Sequence, residues 1–296
     1  MKLFNRLRGH RAEAVLGMNR RNLAFILPRN PRHLFPVADD KLRAKAVLTA
    51  AGVPMPETLA LFERFDQLSG VEATLARFDE CVIKPANGSG GRGILVLGRG
   101  ADGALRTARG REMTGDALRR HVGDIIFGVY TLDHPDVAIV ERRLHPHPFF
   151  ERLYPNALSD IRIIVVDGVP VLAMIRVPTN ASDGKANLHQ GGIGLGLDLP
   201  TGRVTRAWLK GRPVDAHPDT DAPLVDAQVP GWPAVLDCAR RVGAAVDLRF
   251  LGVDLVLSRA GDPMVLEINV RPGLEIQNVT GVPLRAHLAT LGIAEG

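Results

Sequence analysis

The feature that most constrains the fold is a pair of apolar segments near the C-terminus, joined by a short turn. Residues 252–257 and 264–270 flank a Gly-Asp-Pro turn, which is typical of an antiparallel hairpin. With a four-residue loop, Asp254 lies directly opposite Glu267 on the partner strand. Asn269 shares their face, because alternate side chains along a strand point the same way. The pattern therefore predicts two carboxylates and an amide on one face of the hairpin.

Such a trio of oxygen donors is the kind of site that Mg²⁺ (or Mn²⁺) occupies while keeping room for water and phosphate. The alternative interpretation is an outer face on which the polar residues simply meet water. The first segment of the hairpin, residues 252–257, is too apolar for an exposed edge strand, which favours the metal site.

Length and composition indicate an ordinary globular chain. With 296 residues, 46% of them apolar and 23% charged, the chain can bury a core and divide into two or three lobes. It has no apolar run near the ~18 residues of a membrane span, and residues 1–21 contain no signal-peptide core. Cys81 and Cys238 lie in no CxxC motif and are expected to be reduced, buried thiols of a cytoplasmic protein.

Positive charge is concentrated at the N-terminus. Residues 1–45 contain eleven Lys and Arg against three Asp and Glu, whereas the whole chain has a net charge of only +5. A basic leader can bind an anionic partner, a membrane surface or a polyanion, and a protein partner can also dock there, but such a run is more often only a solvated face. The chain has no aromatic interleaving or zinc spacing, so no specific nucleic-acid partner is expected.

Periodicity and turn signals predict mixed strands and helices, an α+β chain rather than a doubly wound sheet. Helices are predicted at residues 41–51, 57–80, 115–122 and 232–246, and strands at 81–85, 94–97, 137–140, 160–166 and 169–177. The first forty residues read as one short helix and an irregular arm, and residues 180–197 as a Gly-rich loop.

The glycine-rich stretch Gly88-Ser89-Gly90-Gly91-Arg92-Gly93 matches GxGxxG, which is weak evidence alone. A dinucleotide fingerprint requires a helix after the glycines, and here a strand, residues 94–97, follows. We therefore interpret the stretch as a flap between two strands. Its backbone N–H groups can approach phosphate oxygens, and Lys84 can neutralise their charge. The alternative is a tight hairpin without function.

Several motifs occur in an order that resembles the ATP-grasp enzymes, and among them the alpha-L-glutamate ligase branch that includes the ribosomal-protein glutamate ligases. The resemblance covers roughly residues 39–280. It is carried by Ile83-Lys84-Pro85 with the glycine loop, Ile139-Val140-Glu141, Asp160-Ile161-Arg162, Asn187-Leu188-His189-Gln190-Gly191-Gly192 and Glu267-Ile268-Asn269.

The resemblance implies an ATP-grasp fold, with two α+β lobes clasping ATP, and a role for each matching residue. ATP is implied to be bound by Lys41, Lys84, Gly88, Ser89, Gly90, Gly91, Glu141, Arg142, Asp160, Lys185 and Asn187, with Glu141 and Arg142 at the adenine hinge and Asp160 near the ribose. Mg²⁺ would be held by Asp254, Glu267 and Asn269, and the catalytic charges would be those of Arg162 and Arg271.

Some of these residues have ordinary structural alternatives. Lys41 can be a solvated helix lysine, and Glu141 can form a surface ion pair of little worth with the arginines that follow it. Asp160 and Arg162 can satisfy each other on one strand face. Arg176 would oppose Ser159 and face away from Arg162, unless a bulge intervenes.

Functionally, the resemblance implies a carboxylate–amine ligase that forms an amide through an acylphosphate. The substrates would be a carboxylate and an amine, with glutamate or another amino acid added to a peptide, protein or small amine. Two alternatives are a nucleotide-binding partner subunit and an ATP-grasp kinase. The expected organisation is a basic arm (1–38), a part with the lysine helix and glycine loop (39–143) and a C-terminal part with the metal site (144–296). The domain that precedes the lysine helix in ordinary members is expected to be truncated.

Overall fold

A computed structural model describes residues 13–88, 90–155 and 157–296. The chain folds into two compact units, each built on one antiparallel sheet with helices against it, which confirms the predicted α+β class. Among the described residues, one unit comprises 40–42 and 56–145, and the other comprises 13–39, 43–55 and 146–296. Among the described residues no helix is long and apolar enough to cross a membrane.

The smaller unit has a five-stranded sheet in the order β1-β5-β2-β3-β4. The strands are β1 (Thr58–Phe62), β2 (Glu80–Pro85), β3 (Leu95–Arg99), β4 (Leu105–Thr107) and β5 (Ala138–Glu141). The helices Val71–Leu75 and Gly115–Ile126 pack their buried leucine, valine and isoleucine side chains on this sheet. The predicted strand pair around the glycine loop is confirmed as β2 and β3.

The predicted helix over 57–80 is wrong in its first part. Thr58–Phe62 is an edge strand paired with β5, and helix is found only at Val71–Leu75, after a 3₁₀ turn at Phe65–Gly70. The strand has one buried residue, Phe62, so it carries only a weak apolar signal. Pairing with β5, which no local pattern reveals, decides its conformation.

The larger unit has a seven-stranded sheet in the order β10-β9-β8-β7-β6-β11-β12. The strands are β6 (Asp160–Val166), β7 (Val169–Val177), β8 (Ile193–Leu197), β9 (Val204–Leu209), β10 (Arg212–Pro213), β11 (Phe250–Leu257) and β12 (Pro263–Asn269). Helix Trp232–Ala245 packs against β7, β6, β11 and β12, and the short helices Ile276–Thr280 and Leu284–Thr290 pack on the sheet near β7 to β9. Helix Pro148–Leu153 lies in the His- and Pro-rich insert.

The predicted hairpin at 160–166 and 169–177 is confirmed as β6 and β7. The predicted loop over 180–197 is wrong at its end, where Ile193–Leu197 forms the buried strand β8. Its two glycines, Gly194 and Gly196, disguise the strand. They let the helix Ile276–Thr280 approach, since a Cβ on Gly196 would lie 2.7 Å from the Val279 carbonyl oxygen.

The described part of the basic N-terminal region belongs to the larger unit rather than forming a separate arm. Helical turns run through Met18–Arg20, a π-helical stretch at Arg21–Ile26, and Leu27–Arg29. Phe25 of this segment packs on Phe250 of β11, with ring centroids 6.1 Å apart. The basic residues that precede residue 13 lie outside the described residues. The helix that follows, Lys41–Ala50, agrees with the prediction.

Candidate ATP-grasp site

Asp254 lies in the middle of β11, where that strand has a neighbour on each side. It opposes Arg162 of β6 and Glu267 of β12, and its side chain is only 1% exposed. The predicted pairing of Asp254 with Glu267 is therefore present, although by a different route. The loop contains five residues, 258–262, and a bulge between Asp254 and Leu255 then restores the predicted register.

The three residues predicted to hold a metal converge at this point. Asn269 Nδ2 lies 3.3 Å from Glu267 Oε1 and 3.4 Å from Asp254 Oδ2. Glu267 and Asn269 are partly exposed, whereas Asp254 is buried beneath them. In the described part of the chain Glu267 forms no salt bridge, although the charge of Arg176 is close enough to interact with its carboxylate.

This donor set suits Mg²⁺ held with water and phosphate, since it offers two carboxylates and an amide. No three His, Cys, Asp or Glu side chains of the described residues cluster as ligands, so a closed all-protein cage is absent there. Asp254 accepts hydrogen bonds from arginines on both of its oxygens. Of the three predicted ligands, Glu267 and Asn269 are therefore the more accessible ones, and Asp254 is engaged by the arginines.

Two arginines neutralise the buried carboxylates of Asp160 and Asp254. Arg162 donates to both oxygens of Asp254, with Nη2 2.7 Å from Oδ2. Arg176 donates to Asp160 over 2.6 and 2.7 Å and to Asp254 Oδ2 over 2.7 Å. Asp160 and Arg162 therefore do not satisfy each other; each pairs with a residue of a neighbouring strand.

The position of Arg176 depends on a bulge. Between Ile164 and Val165 the pairing of β6 with β7 shifts, so Arg176 opposes Asp160. A regular hairpin would set Arg176 opposite Ser159, on the other face. The bulge therefore places a second buried arginine beside Asp160 and Asp254. Strand bulges often occur beside active sites, so this one agrees with a functional site.

The surrounding charges and burial shift the pKa values of Asp254 and Asp160 in opposite directions. Burial alone would raise the pKa of Asp254, but the adjacent guanidinium groups of Arg162 and Arg176 hold its pKa well below the ordinary value. Burial raises the pKa of Asp160 to about 6, against the attraction of Arg176 and with the help of the negative charge of Asp254. Asp254 is thus the carboxylate that stays ionised throughout the physiological range.

Lys84 and Glu141 form a second buried pair, in the smaller unit. Lys84 Nζ lies 2.7 Å from Glu141 Oε2, and both side chains are at most 10% exposed. The lysine is on β2 and the glutamate on the adjacent strand β5. Of the two arginines that follow Glu141, Arg142 pairs with Glu57 and Arg143 with Glu80. A carboxylate that fixes a phosphate-binding lysine is familiar from kinases.

The glycine loop, residues 88–93, is held at both of its stems. Asp136 is 5% exposed, and its carboxylate accepts the backbone and side-chain N–H groups of Asn87 over 2.8 to 3.2 Å. Lys41 Nζ donates to the carbonyl oxygens of Ala86 and Gly88, over 3.2 and 2.6 Å. In this structure Lys41 therefore fixes the start of the loop.

At the far stem, His121 Nε2 donates to the Gly93 carbonyl oxygen over 3.1 Å. Gly93 has a φ of +74°, and a Cβ there would lie 2.7 Å from the Tyr130 ring. Burial lowers the pKa of His121, which favours the neutral imidazole. Gly90 and Gly91 also have positive φ values, 65° and 73°, so their backbone can turn N–H groups outward. Ser89 lies outside the described residues.

Three further predicted residues occupy other positions. Asn187 accepts the N–H of His189 on its side-chain oxygen and caps a 3₁₀ turn, and Lys185 precedes it in the loop between β7 and β8. Arg271, two residues after Asn269, lies over the Phe35 ring with Cζ 4.9 Å from the centroid. Sequence reasoning missed Asp136 and His121. Asp136 lies two residues before β5, and His121 reaches the glycine loop only through the fold, so its position in the sequence carries no signal.

An antiparallel strand pair with a glycine loop and lysine, and a hairpin with two carboxylates and an amide, define a protein of the ATP-grasp class. Residues 20–292 match the model of the family described as sugar-transfer associated ATP-grasp. The chain therefore belongs to that family, and the predicted ATP-grasp resemblance is confirmed.

Among named relatives, the chain is 27% identical over 258 residues to a probable alpha-L-glutamate ligase of Xanthomonas euvesicatoria pv. vesicatoria (strain 85-10). A probable alpha-L-glutamate ligase of Xanthomonas oryzae pv. oryzae (strain MAFF 311018) is also 27% identical, over 254 residues. The two alignments cover 87% and 86% of this chain, but only 65% and 64% of the relatives. This chain thus spans somewhat less than two thirds of their length.

Two solved structures align with most of this chain. D-cycloserine synthetase DcsG aligns with a TM-score of 0.49 and 21% identity, covering 88% of this chain and 72% of that one. The D-alanine-D-alanine ligase from Coxiella burnetii aligns with a TM-score of 0.49 and 15% identity, covering 87% of this chain and 57% of that one.

Proposed function

We propose that this chain is an ATP- and Mg²⁺-dependent carboxylate–amine ligase, ADP-forming, that makes an amide through an acylphosphate. The observation that carries the proposal is the convergence of Asp254, Glu267 and Asn269 on one hairpin of an ATP-grasp chain. The finer proposal, that glutamate or another amino acid is joined to a peptide, protein or small amine, rests on the similarity to the probable glutamate ligases. A cytoplasmic location remains part of the proposal.

In this proposal the smaller unit supplies groups for the nucleotide. The backbone N–H groups of Gly88, Gly90 and Gly91 and the ammonium of Lys84 bind phosphate oxygens. Glu141 holds Lys84 in place over 2.7 Å, and the hinge at Glu141 and Arg142 meets the purine edge. Phosphoryl transfer needs positioning and charge neutralisation more than a dedicated base, and these groups provide both.

The larger unit supplies groups for the metal and the transferred phosphoryl group. Bound Mg²⁺ would neutralise phosphate charge and orient the phosphoryl group for attack. Glu267 and Asn269 would hold that metal, and the ionised Asp254 would support them. Arg162 and Arg271 would stabilise charge on the acylphosphate, and Lys185 and Asn187 would line the triphosphate. Asp160 would approach the ribose.

The first experiment measures binding of Mg·ATP to the purified chain by isothermal titration calorimetry. Saturable binding is expected, and it should weaken at least tenfold in Glu267→Gln, because a metal ligand is lost. Glu63→Gln, an exposed carboxylate of the smaller unit, is the matched control and should bind like the parent. No binding at saturating Mg·ATP would overturn the proposal at its root.

A second experiment screens pairs of carboxylates and amines for phosphate release, with mass spectrometry of the products. A ligase should release phosphate only when both substrates are present, and an amide product should appear. Two alternatives give different results. A kinase would release a stable phosphorylated product without an amine, and a nucleotide-binding partner subunit would bind ATP but turn over only when its partner is added.

One observation bears on the partner-subunit alternative, which was based on the basic N-terminal region. Several of its arginines are used inside the chain. Arg29 pairs with Asp167 over 3.1 Å, Arg20 pairs with Glu295 over 3.1 Å, and Arg21 is buried. These contacts leave less free positive charge for a protein partner, so we favour the ligase.

A further inference from the structure

One arginine of the N-terminal segment is buried without a carboxylate to neutralise it. Arg21 is 6% exposed, and its guanidinium donates to the Pro272 carbonyl oxygen over 2.7 Å and to Asn22 Oδ1 over 2.9 and 3.1 Å. Within the described part of the chain Arg21 forms no salt bridge. Charged side chains are almost never buried unless they are paired, because desolvation is costly.

A second guanidinium increases that cost. Arg271 directly precedes the residue whose carbonyl Arg21 binds, and burial together with the positive charge of Arg271 lowers the pKa of Arg21. Arg271 is held by its contact with the Phe35 ring. A guanidinium stacked on a ring keeps its in-plane N–H donors available for an anion. The carboxylate of Asp39 attracts Arg271 electrostatically, but among the described residues the two side chains form no salt bridge.

The two arginines lie beside the metal-binding hairpin. Pro272 packs against Gly252 of β11, where a Cβ would lie 2.7 Å from Pro272 Cβ and 3.4 Å from Arg162 Cδ. Gly252 itself pairs with Asn269. The backbone at Arg21 is also unusual, since it begins the π-helical stretch Arg21–Ile26. Short π-helical segments are rare and occur frequently at functional sites.

We propose that Arg21 and Arg271 form an anion-binding site that takes a carboxylate group of the substrate. The inference rests on the proposed ligase function and deepens it, because it gives the substrate a carboxylate that is recognised by the N-terminal segment of this chain. Beyond the bonds to Asn22 and Pro272, Arg21 keeps one N–H on each of Nη1 and Nη2, and hydrogen bonds from such charged donors to a carboxylate are the strong ones. The bound anion supplies the negative charge that the buried Arg21 lacks.

The test uses Arg21→Gln, since glutamine can still donate to the Pro272 carbonyl but carries no charge. L-Glutamate and inorganic phosphate are the probes, titrated against thermal unfolding of the full chain, with sodium chloride at matched ionic strength as the reference. The parent should show saturable stabilisation by L-glutamate. Arg21→Gln and Arg271→Gln should weaken it at least tenfold. Arg20→Gln, on the neighbouring exposed arginine, should not change it.

The proposal also predicts the stability of the free protein. Removing an uncompensated buried charge should leave the melting temperature of ligand-free Arg21→Gln equal to or above that of the parent. A purely structural arginine would show the opposite, a clear loss of stability. Undiminished glutamate stabilisation in a folded Arg21→Gln variant would overturn the proposal, as would the absence of saturable stabilisation of the parent by L-glutamate.

Competition with nucleotide separates this inference from the proposed function. Mg·ADP should bind equally well to the parent and to Arg21→Gln, and L-glutamate should still stabilise the Mg·ADP complex. If Mg·ADP or phosphate displaces L-glutamate, the arginines belong to the nucleotide phosphates and the inference is wrong. If Mg·ADP does not bind at all, the proposed function fails, whatever the glutamate result.

Discussion

Arg176 is the residue on which the buried charges of the larger unit depend most. It bridges Asp160 and Asp254, which are 8% and 1% exposed. Arg176→Met would leave two buried carboxylates sharing the single guanidinium of Arg162. Breaking a buried pair in this way costs about 3–5 kcal/mol, so urea unfolding should show a loss of that order.

The matched control for Arg176 is Arg203→Met. Arg203 pairs with Asp226 at the surface, where the two side chains are 57% and 72% exposed. Exposed pairs contribute roughly 0–1 kcal/mol. A loss of less than about 1 kcal/mol in Arg176→Met, equal to that of the control, would mean that the buried network does not stabilise the fold in the way the contacts indicate.

Both cysteines should be chemically inert in the folded protein. They are free and buried, and burial raises the pKa of Cys81 and of Cys238 to about 11. Their thiolates are therefore scarce at pH 8, and Ellman's reagent should react with neither thiol until urea is added. Because the folded pKa is raised, the thiols favour folding at neutral pH, and this contribution disappears as the pH rises toward 11. Reaction of a native thiol at pH 8 would contradict its burial.

At the residue scale the sequence predicted the correct chemistry where alternation along strands suffices. Asp254, Glu267 and Asn269 share a face as expected, although a five-residue loop and a bulge replace the four-residue loop. Arg176 was expected on the other face unless a bulge intervened, and the bulge found between β6 and β7 places it opposite Asp160. A bulge moves one residue without leaving a local composition signal, so only tertiary pairing reveals it.

At the scale of elements, the glycine loop depends on Asp136. This carboxylate fixes Asn87 at the start of the loop through backbone and side-chain N–H groups. Asp136→Ala would release that stem, and hydrogen bonds to a charged acceptor contribute about 1.5–3 kcal/mol. We expect Mg·ADP to bind about tenfold or more weakly, and the loop amides to exchange hydrogen faster.

Asp133→Asn is the control for the loop experiment, since Asp133 is an exposed aspartate three residues away and has a φ of 62° that asparagine tolerates. It should leave nucleotide affinity and exchange unchanged. If Asp136→Ala also leaves the exchange of residues 87–93 unchanged, Asp136 does not hold the loop.

The strand β8 shows why some elements escape sequence reading. Gly194 and Gly196 resemble loop glycines, but a Cβ on Gly196 would meet backbone atoms of Val279 and Thr280 at 2.7 and 2.9 Å. Overpacking of this kind costs typically 1–3 kcal/mol, so Gly196→Ala should lose that much in urea unfolding. Gly70→Ala, where a Cβ meets nothing within 4 Å, should be close to neutral. Equal stability of both variants would contradict the close helix approach.

At the scale of the whole molecule, the sequence predicted the fold class and the order of motifs better than the chain's organisation. The described part of the basic N-terminal region looked like a solvated arm, yet Phe25 and Ile26 are 1% exposed and belong to the core of the larger unit. The reason is that its apolar residues are few and their partner, Phe250, lies more than two hundred residues away in the sequence. The basic residues can be read directly from the sequence. The long-range packing that buries Arg21 cannot.

The proposed function makes one nucleotide depend on residues of both compact units. Mg·ADP at one hundred times its dissociation constant should stabilise the protein by about 2.7 kcal/mol, through binding to the folded state alone. Lys84→Met changes the smaller unit and Glu267→Gln the larger one, and each should abolish most of the Mg·ADP-dependent rise in melting temperature. Lys210→Met and Glu63→Gln, both exposed, should retain it. A full rise in either Lys84→Met or Glu267→Gln would contradict the role proposed for that residue, because weaker binding to the folded state must lower the ligand-linked stabilisation.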